Sequence, residues 1–169
     1  MGEIKEILVD GVTHPLKDAT ARGDLENIKG CSIITAYPNE DITKTEGGLV
    51  QLPIRTYIQK GSKFTVTNNS IVVGSGIEYI EVSANAMMNC KSMANGARNL
   101  AIRLNGSEAA LCMTSELAQT AAINCHLSIA PKLLKVKQGD VITFHWYTPA
   151  GDYISGINAR TYITVKQIY

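Results

Sequence analysis

The chain has 169 residues, 45% hydrophobic and 18% charged, with a formal net charge of +1. That length can bury a core without disulfide or metal staples, and the near-neutral balance leaves neither a basic stripe for nucleic acid nor an acidic tail. The opening "MGEIKEILVD" has acidic residues where a secretory leader has a basic end and an apolar run, which implies a chain made and kept in a cytosol or released by lysis.

In chain order, "EIKEILVDGVTHPL" alternates enough for a strand or hairpin ending at Pro15. Lys17 to Lys29 reads as a helix, because Ala21, Leu25 and Ile28 fall at i, i+4 and i+7. Asp18 suits its start, Lys29 its last turn and Gly30 its stop. A helix this short is unstable alone in water, so it needs the body of the protein or copies of itself around a symmetry axis. It contains Arg22-Gly23-Asp24, an integrin-type adhesion tripeptide. Leu25 and Ile28 continue the helical face directly after it, whereas adhesion requires an extended loop tip; the tripeptide is read as incidental. "YPNEDITKTEGG", Tyr37 to Gly48, is rich in Pro, Gly and charge and reads as a linker. The expected organisation is an arm over 1–36, a linker over 37–48 and a head over 49–169.

The head is expected to be mainly β, an antiparallel β-sandwich. Runs such as "FTVTNNSIVVG", "EYIEVSANAMM" and "ARTYITVKQIY" are rich in Val, Ile, Thr and Tyr, and Asn-Asn, Asn-Gly and Gln-Gly-Asp turns punctuate them. Two hairpins are expected, one turning at Asn105-Gly106 and one at Gln138-Gly139-Asp140. In "VITFHWYT", Ile142, Phe144 and Trp146 share the core face and Val141, Thr143, His145 and Tyr147 the other. In the last strand Thr161, Ile163 and Val165 face the core, opposite Arg160, Tyr162, Thr164, Lys166 and Ile168. Ser107 to Ile123 is ambiguous: its residues favour a helix of three turns, but neighbouring strands can override propensity, and a strand followed by a loop is preferred.

No catalytic pattern emerges. His14, His126 and His145 are isolated, Cys125 and His126 point to opposite faces of a strand, and His145 reads as a hydrogen-bonded packing residue. Cys31, Cys90, Cys112 and Cys125 contain no C-x-x-C pair and are expected to be mostly buried thiols. Asp140 and Asp152 read as turn aspartates, because no calcium-loop string surrounds them. The close glycines of "GGLVQLP" and "VVGSGIEY" lack a phosphate-loop context. The Asn68 and Asn105 sequons mark surface turns. No apolar run reaches membrane-spanning length, and Glu6 stands where a myristoylation signal needs Ser or Thr. No cofactor, metal, nucleic acid, membrane insertion or enzymatic activity is expected.

The C-terminal pattern resembles the trimeric jelly rolls shared by complement-type globular heads and tumour necrosis factor-like domains. Leu134, Val136, Gly139 and Asp140 match that family's turn, and Tyr162, Ile163, Val165 and Tyr169 its final strand. "YIEVSANAMM" looks like its central strand and "LAIRLNGSEA" like the hairpin after it. The arm resembles a motif that opens structural proteins of phages and prophages of Gram-positive bacteria, through Val9, Asp10, Gly11, Lys17, Asp18, Ala21, Arg22, Asp24 and Leu25. Together the resemblances imply a homotrimeric virion protein, a tail-fibre or head-fibre component. Its arm would meet a virion attachment protein and its head a bacterial surface polysaccharide. Tyr147, Tyr162, Thr164 and Ile168 are then the expected trimer interface. Asn68, Asn69, Asn105, Asp152 and Tyr153 are the candidate receptor contacts. The alternatives are a secreted bacterial carbohydrate-binding or adhesion module of the same fold and a purely structural capsid decoration protein.

Overall fold

The computed structural model describes residues 6–9, 12–15, 31–43, 48–90, 97–113, 123–148, 153–154 and 160–168. The chain divides into two units, Met1–Cys31 and Ser32–Tyr169. In the first, β1 (Glu6–Val9) pairs antiparallel with β2 (Val12–Pro15), from Glu6 opposite Pro15 to Val9 opposite Val12. Of the strand or hairpin expected to end at Pro15, the hairpin is the one formed. The helix expected over Lys17 to Lys29, with Arg22-Gly23-Asp24, lies outside the described residues.

The second unit is a sandwich of two antiparallel sheets. The first has the order β11 (Ser107–Met113), β10 (Asn99–Leu104), β13 (Val141–Thr148), β8 (Ser70–Val73) and β7 (Phe64–Thr67), with β5 (Gly48–Gln51) also pairing with β13. In the second the order is β4 (Ile42–Thr43), β14 (Tyr153–Ile154), β9 (Tyr79–Cys90), β15 (Tyr162–Ile168), β3 (Ile33–Tyr37) and β6 (Thr56–Lys60). Strand β12 (Ile123–Lys135) also pairs with β9.

Alternation builds the core, because successive side chains on a strand point to opposite faces. Ile142, Phe144 and Trp146 of β13 are buried, as are Thr161 beside β15 and Ile163 and Val165 within it. Leu100 and Ile102 join them from the first sheet, and Ile34, Ile80, Val82 and Met88 from the second. Both registers expected from sequence are observed.

Three local readings come out differently or more sharply. Residues 33–37, assigned to the arm, form β3, which is inserted between β15 and β6. Its "IITAY" run alternates, burying Ile34 and Ala36 while Ile33, Thr35 and Tyr37 face outward. Within the expected linker, Ile42–Thr43 pairs with β14. The compact unit begins at Ser32, and within the polar segment 37–48 the short strand Ile42–Thr43 is formed. The Gln138-Gly139-Asp140 turn is real, but β12 and β13 belong to different sheets, so it crosses the sandwich instead of closing a hairpin. Ser107–Met113 is strand β11, held by its register with β10 against the helical propensity of its residues. The rest of the ambiguous segment up to residue 122 lies outside the described residues.

Candidate functional site

The turns expected to carry receptor contacts are mostly occupied in holding the fold. Asn68 and Asn69 both adopt left-handed φ, 49° and 59°, between β7 and β8, a conformation that Asn tolerates well. Asn69 Oδ1 accepts from the Ile54 amide at 3.2 Å, and the Asn69 carbonyl accepts from Gln51 Nε2 at 2.8 Å. Asn105, with φ 51°, precedes Gly106 at 80°. Its Nδ2 donates to Asp140 Oδ1 at 2.9 Å, and its Oδ1 accepts from the Val141 amide at 2.9 Å. Asp140 is buried and its other oxygen accepts from the Lys137 amide at 3.0 Å. Asp140 thus acts as the turn aspartate expected, clamping the crossover to the β10–β11 hairpin. Asp152 lies outside the described residues, and Tyr153 is placed in β14.

Of the four residues expected at a trimer interface, three share a face. Tyr162, Thr164 and Ile168 lie on the outer side of β15, each half-buried. Register puts Thr164 between Thr35 and Ser83, and the Thr35 and Thr164 hydroxyls are hydrogen-bonded at 3.1 Å. Tyr162 stands opposite Asn85, which is opposite Ser128; the Ser128 hydroxyl donates to Asn85 Oδ1 at 2.7 Å. Ile168 stands opposite Tyr79. At the margins of this face Ile58 is 67% and Leu133 58% exposed. Only Glu81, Lys166, Lys60 and Lys135 bring charge to these rows.

Tyr147 is elsewhere, on the outer face of the first sheet. One row there runs Leu49, Tyr147, Asn99, and the next runs Gln51, His145, Ala101, Leu111. Leu49, Tyr147 and Leu111 are 46%, 40% and 39% exposed. His145 is held by Thr143, whose Oγ1 lies 2.9 Å from Nε2, while Nδ1 is buried with no hydrogen-bond partner. It is thus the hydrogen-bonded packing histidine expected, satisfied at one nitrogen. Burial, and secondarily the Arg103 guanidinium, hold its pKa below the ordinary imidazole value. Asn99 Oδ1 is likewise buried without a partner. Sequence reasoning missed Gln51 and Asn99 here, because only the long-range pairing of β5 and β10 with β13 brings them to Tyr147.

At the open edges of the two sheets, a cleft of about 440 Å³ lies between β11 and β12. Ala110 and Leu111 line one side, and Ser128 to Lys132, including Pro131 at the β12 bulge, line the other. Among the described residues no three His, Cys, Asp or Glu gather where they could hold a metal, and no helix is long and apolar enough to cross a membrane.

Compared as a sequence, the chain matches no protein-family model and no curated protein. Its fold does have solved counterparts. Murine APRIL at pH 8.0 superposes with a TM-score of 0.64 at 12% identity, over 82% of this chain and 99% of that one. Eiger TNF from S. frugiperda superposes with a TM-score of 0.56 at 13% identity, over 81% and 93%. With its two antiparallel sheets, strand order and buried alternation, the chain is an antiparallel β-sandwich of the tumour necrosis factor-like jelly-roll type.

Proposed function

We propose that the chain is a virion structural protein of a phage or prophage, a homotrimer whose jelly-roll head is displayed for recognition of a bacterial surface glycan. The phage part rests on the resemblance of the arm, from Val9 to Leu25, and on a jelly-roll head following it. The arm meets the attachment protein of the virion.

The observation that carries self-association is the outer face of the second sheet. Tyr37, Tyr79, Tyr162 and Ile168 are only half-buried there, with Ile58 and Leu133 well exposed. Apolar and aromatic area of this kind on one contiguous sheet face is a mark of an interaction surface. Tyr162, Thr164 and Ile168 form the centre of the interface. A closed ring of three copies then fixes three identical recognition sites in one rigid head, and weak binding at each is multiplied by high effective concentration.

Two measurements test this. Sedimentation equilibrium at micromolar concentration gives a trimer mass, and a monomer mass refutes the assembly. Labelled protein binds whole cells of a Gram-positive host and is displaced by that host's extracted surface polysaccharide; failure to bind refutes the recognition role. Release of new reducing ends from that polysaccharide would instead make the protein an enzyme.

A further inference from the structure

The face around Tyr147 lies on the opposite sheet from Tyr162, Thr164 and Ile168. Three of the large hydrophobic residues exposed in the described chain collect on it, Leu49, Tyr147 and Leu111. Interleaved with them are Gln51, Asn99 and His145. We infer that this face is a binding site for an uncharged saccharide. The inference rests on the glycan-recognition reading above and locates its site.

Size comes first. Four neighbouring strands and two rows of outward side chains span roughly 14 Å by 7 Å. That is far below the roughly 800 Å² that each partner contributes to a stable protein interface. The next row along the strands, Thr143, Arg103 and Glu108, is polar and charged and bounds the patch. A second copy of the chain therefore finds too little area here, whereas one or two sugar rings fit.

Chemistry then selects the ligand. An exposed tyrosine ring flanked by Leu49 offers a surface on which the C–H face of a sugar can lie, with its phenol oxygen at the rim. Gln51 Nε2 is fixed by the Asn69 carbonyl at 2.8 Å, which aims the amide and leaves its oxygen without a hydrogen bond among the described residues. Asn99 Oδ1 needs a donor, and His145 Nδ1 takes either role according to tautomer. A hydroxyl is both donor and acceptor, so a polyol meets the exposed Gln51 oxygen and, once its amide turns, that of Asn99, while His145 Nδ1 stays buried beneath the patch. Rotation of the Asn99 amide about its broad terminal torsion turns its oxygen outward. Within the two rows the only ionisable groups are His145 and the tyrosine phenol, and burial, with the Arg103 guanidinium second, favours the neutral imidazole. A carboxylated or phosphorylated sugar would find no counter-charge inside the patch.

The test is saturation-transfer NMR on the full chain with lactose, maltose and chitobiose, and with sialyllactose as the charged control. Transfer to at least one neutral disaccharide is expected. Tyr147→Ala should weaken it about tenfold, and Tyr147→Phe should retain most of it, as stacking without the hydroxyl predicts. Melting temperature and trimer mass should be unchanged in both variants. Transfer to no sugar, transfer only to sialyllactose, or full binding by Tyr147→Ala overturns the assignment, as does a fall of Tyr147→Ala to monomer. Whole-cell binding separates the two levels. Equal binding by wild type and Tyr147→Ala removes this site while the recognition role stands. Tyr147-dependent sugar binding without cell binding keeps the site and removes the role.

Discussion

The outer faces of the two sheets differ in how their polar groups are used. On the second sheet, cross-strand pairs satisfy one another: Thr35 with Thr164, and Ser128 with Asn85, whose Nδ2 donates to the Arg160 carbonyl at 2.7 Å. On the first sheet, His145 and Asn99 each keep a buried polar atom without a partner. An unsatisfied buried polar atom costs about 1–3 kcal/mol. A face that is already satisfied gains from close packing against another surface, whereas an unsatisfied one gains from an incoming hydrogen-bonding group. The same alternation of residues thus produces two outer faces that differ in how their polar groups are satisfied.

The largest expected effect separates the two faces directly. Thr164→Arg places a long cation among Thr35, Ser83 and Tyr162, and should reduce the sedimentation mass from trimer to monomer. A trimer that survives it would deny the second sheet its role. Next is Asp140→Ala, which removes two charge-assisted hydrogen bonds and should destabilise the chain by about 3 kcal/mol. Amide exchange should then accelerate first in β10 and β13, so uniform acceleration in both sheets would show that they unfold as one unit.

Gly61→Ala probes the other margin. Gly61 has φ +77°, and an added Cβ would lie 3.0 Å from Ser32 Cα. Ser32 is buried, with its Oγ accepting from the Lys63 amide at 3.2 Å. A loss of roughly 2 kcal/mol in urea unfolding is expected, from backbone strain and crowding combined. Loss below a few tenths would mean that the loop yields freely.

The smallest effect concerns pH. His145 has a folded pKa below its unfolded value of about 6.5, so the unfolded chain takes up the proton first. The stability contributed by the neutral imidazole is complete above about pH 6.5 and is lost as pH falls from there toward the folded pKa. His145→Gln should make the decline in urea midpoint between about pH 7 and 5 shallower. An unchanged slope would mean that other groups set it.

Much of this was legible in the residues. Strict alternation in β13 and β15 identifies both core faces, because half-buried strands leave little freedom of register. Asn-Asn and Asn-Gly identify their turns, because few other residues tolerate left-handed φ. What stayed hidden depends on long-range pairing. Gln138-Gly139-Asp140 looks the same whether the next strand returns to the same sheet or crosses to the other. "IITAY" carries the alternation of a strand, but nothing local says that its partner is β15, about 130 residues away, at Thr164 opposite Thr35. Tyr147 and Tyr162 likewise have the same outward phase, and only sheet membership separates them.

The position of β15 has a consequence for synthesis. It lies between β9 and β3 and pairs with both, although the ribosome makes it after every other described strand. Until it emerges, one edge of β9 and one edge of β3 carry backbone groups with no partner over most of their length. The second sheet closes only once β15 has been made, and such non-local closure is slow. During that interval two open edges of neighbouring nascent chains can find each other. The strand that completes the fold also carries the proposed interface residues, so a chain becomes competent to join its partners only when it has finished folding.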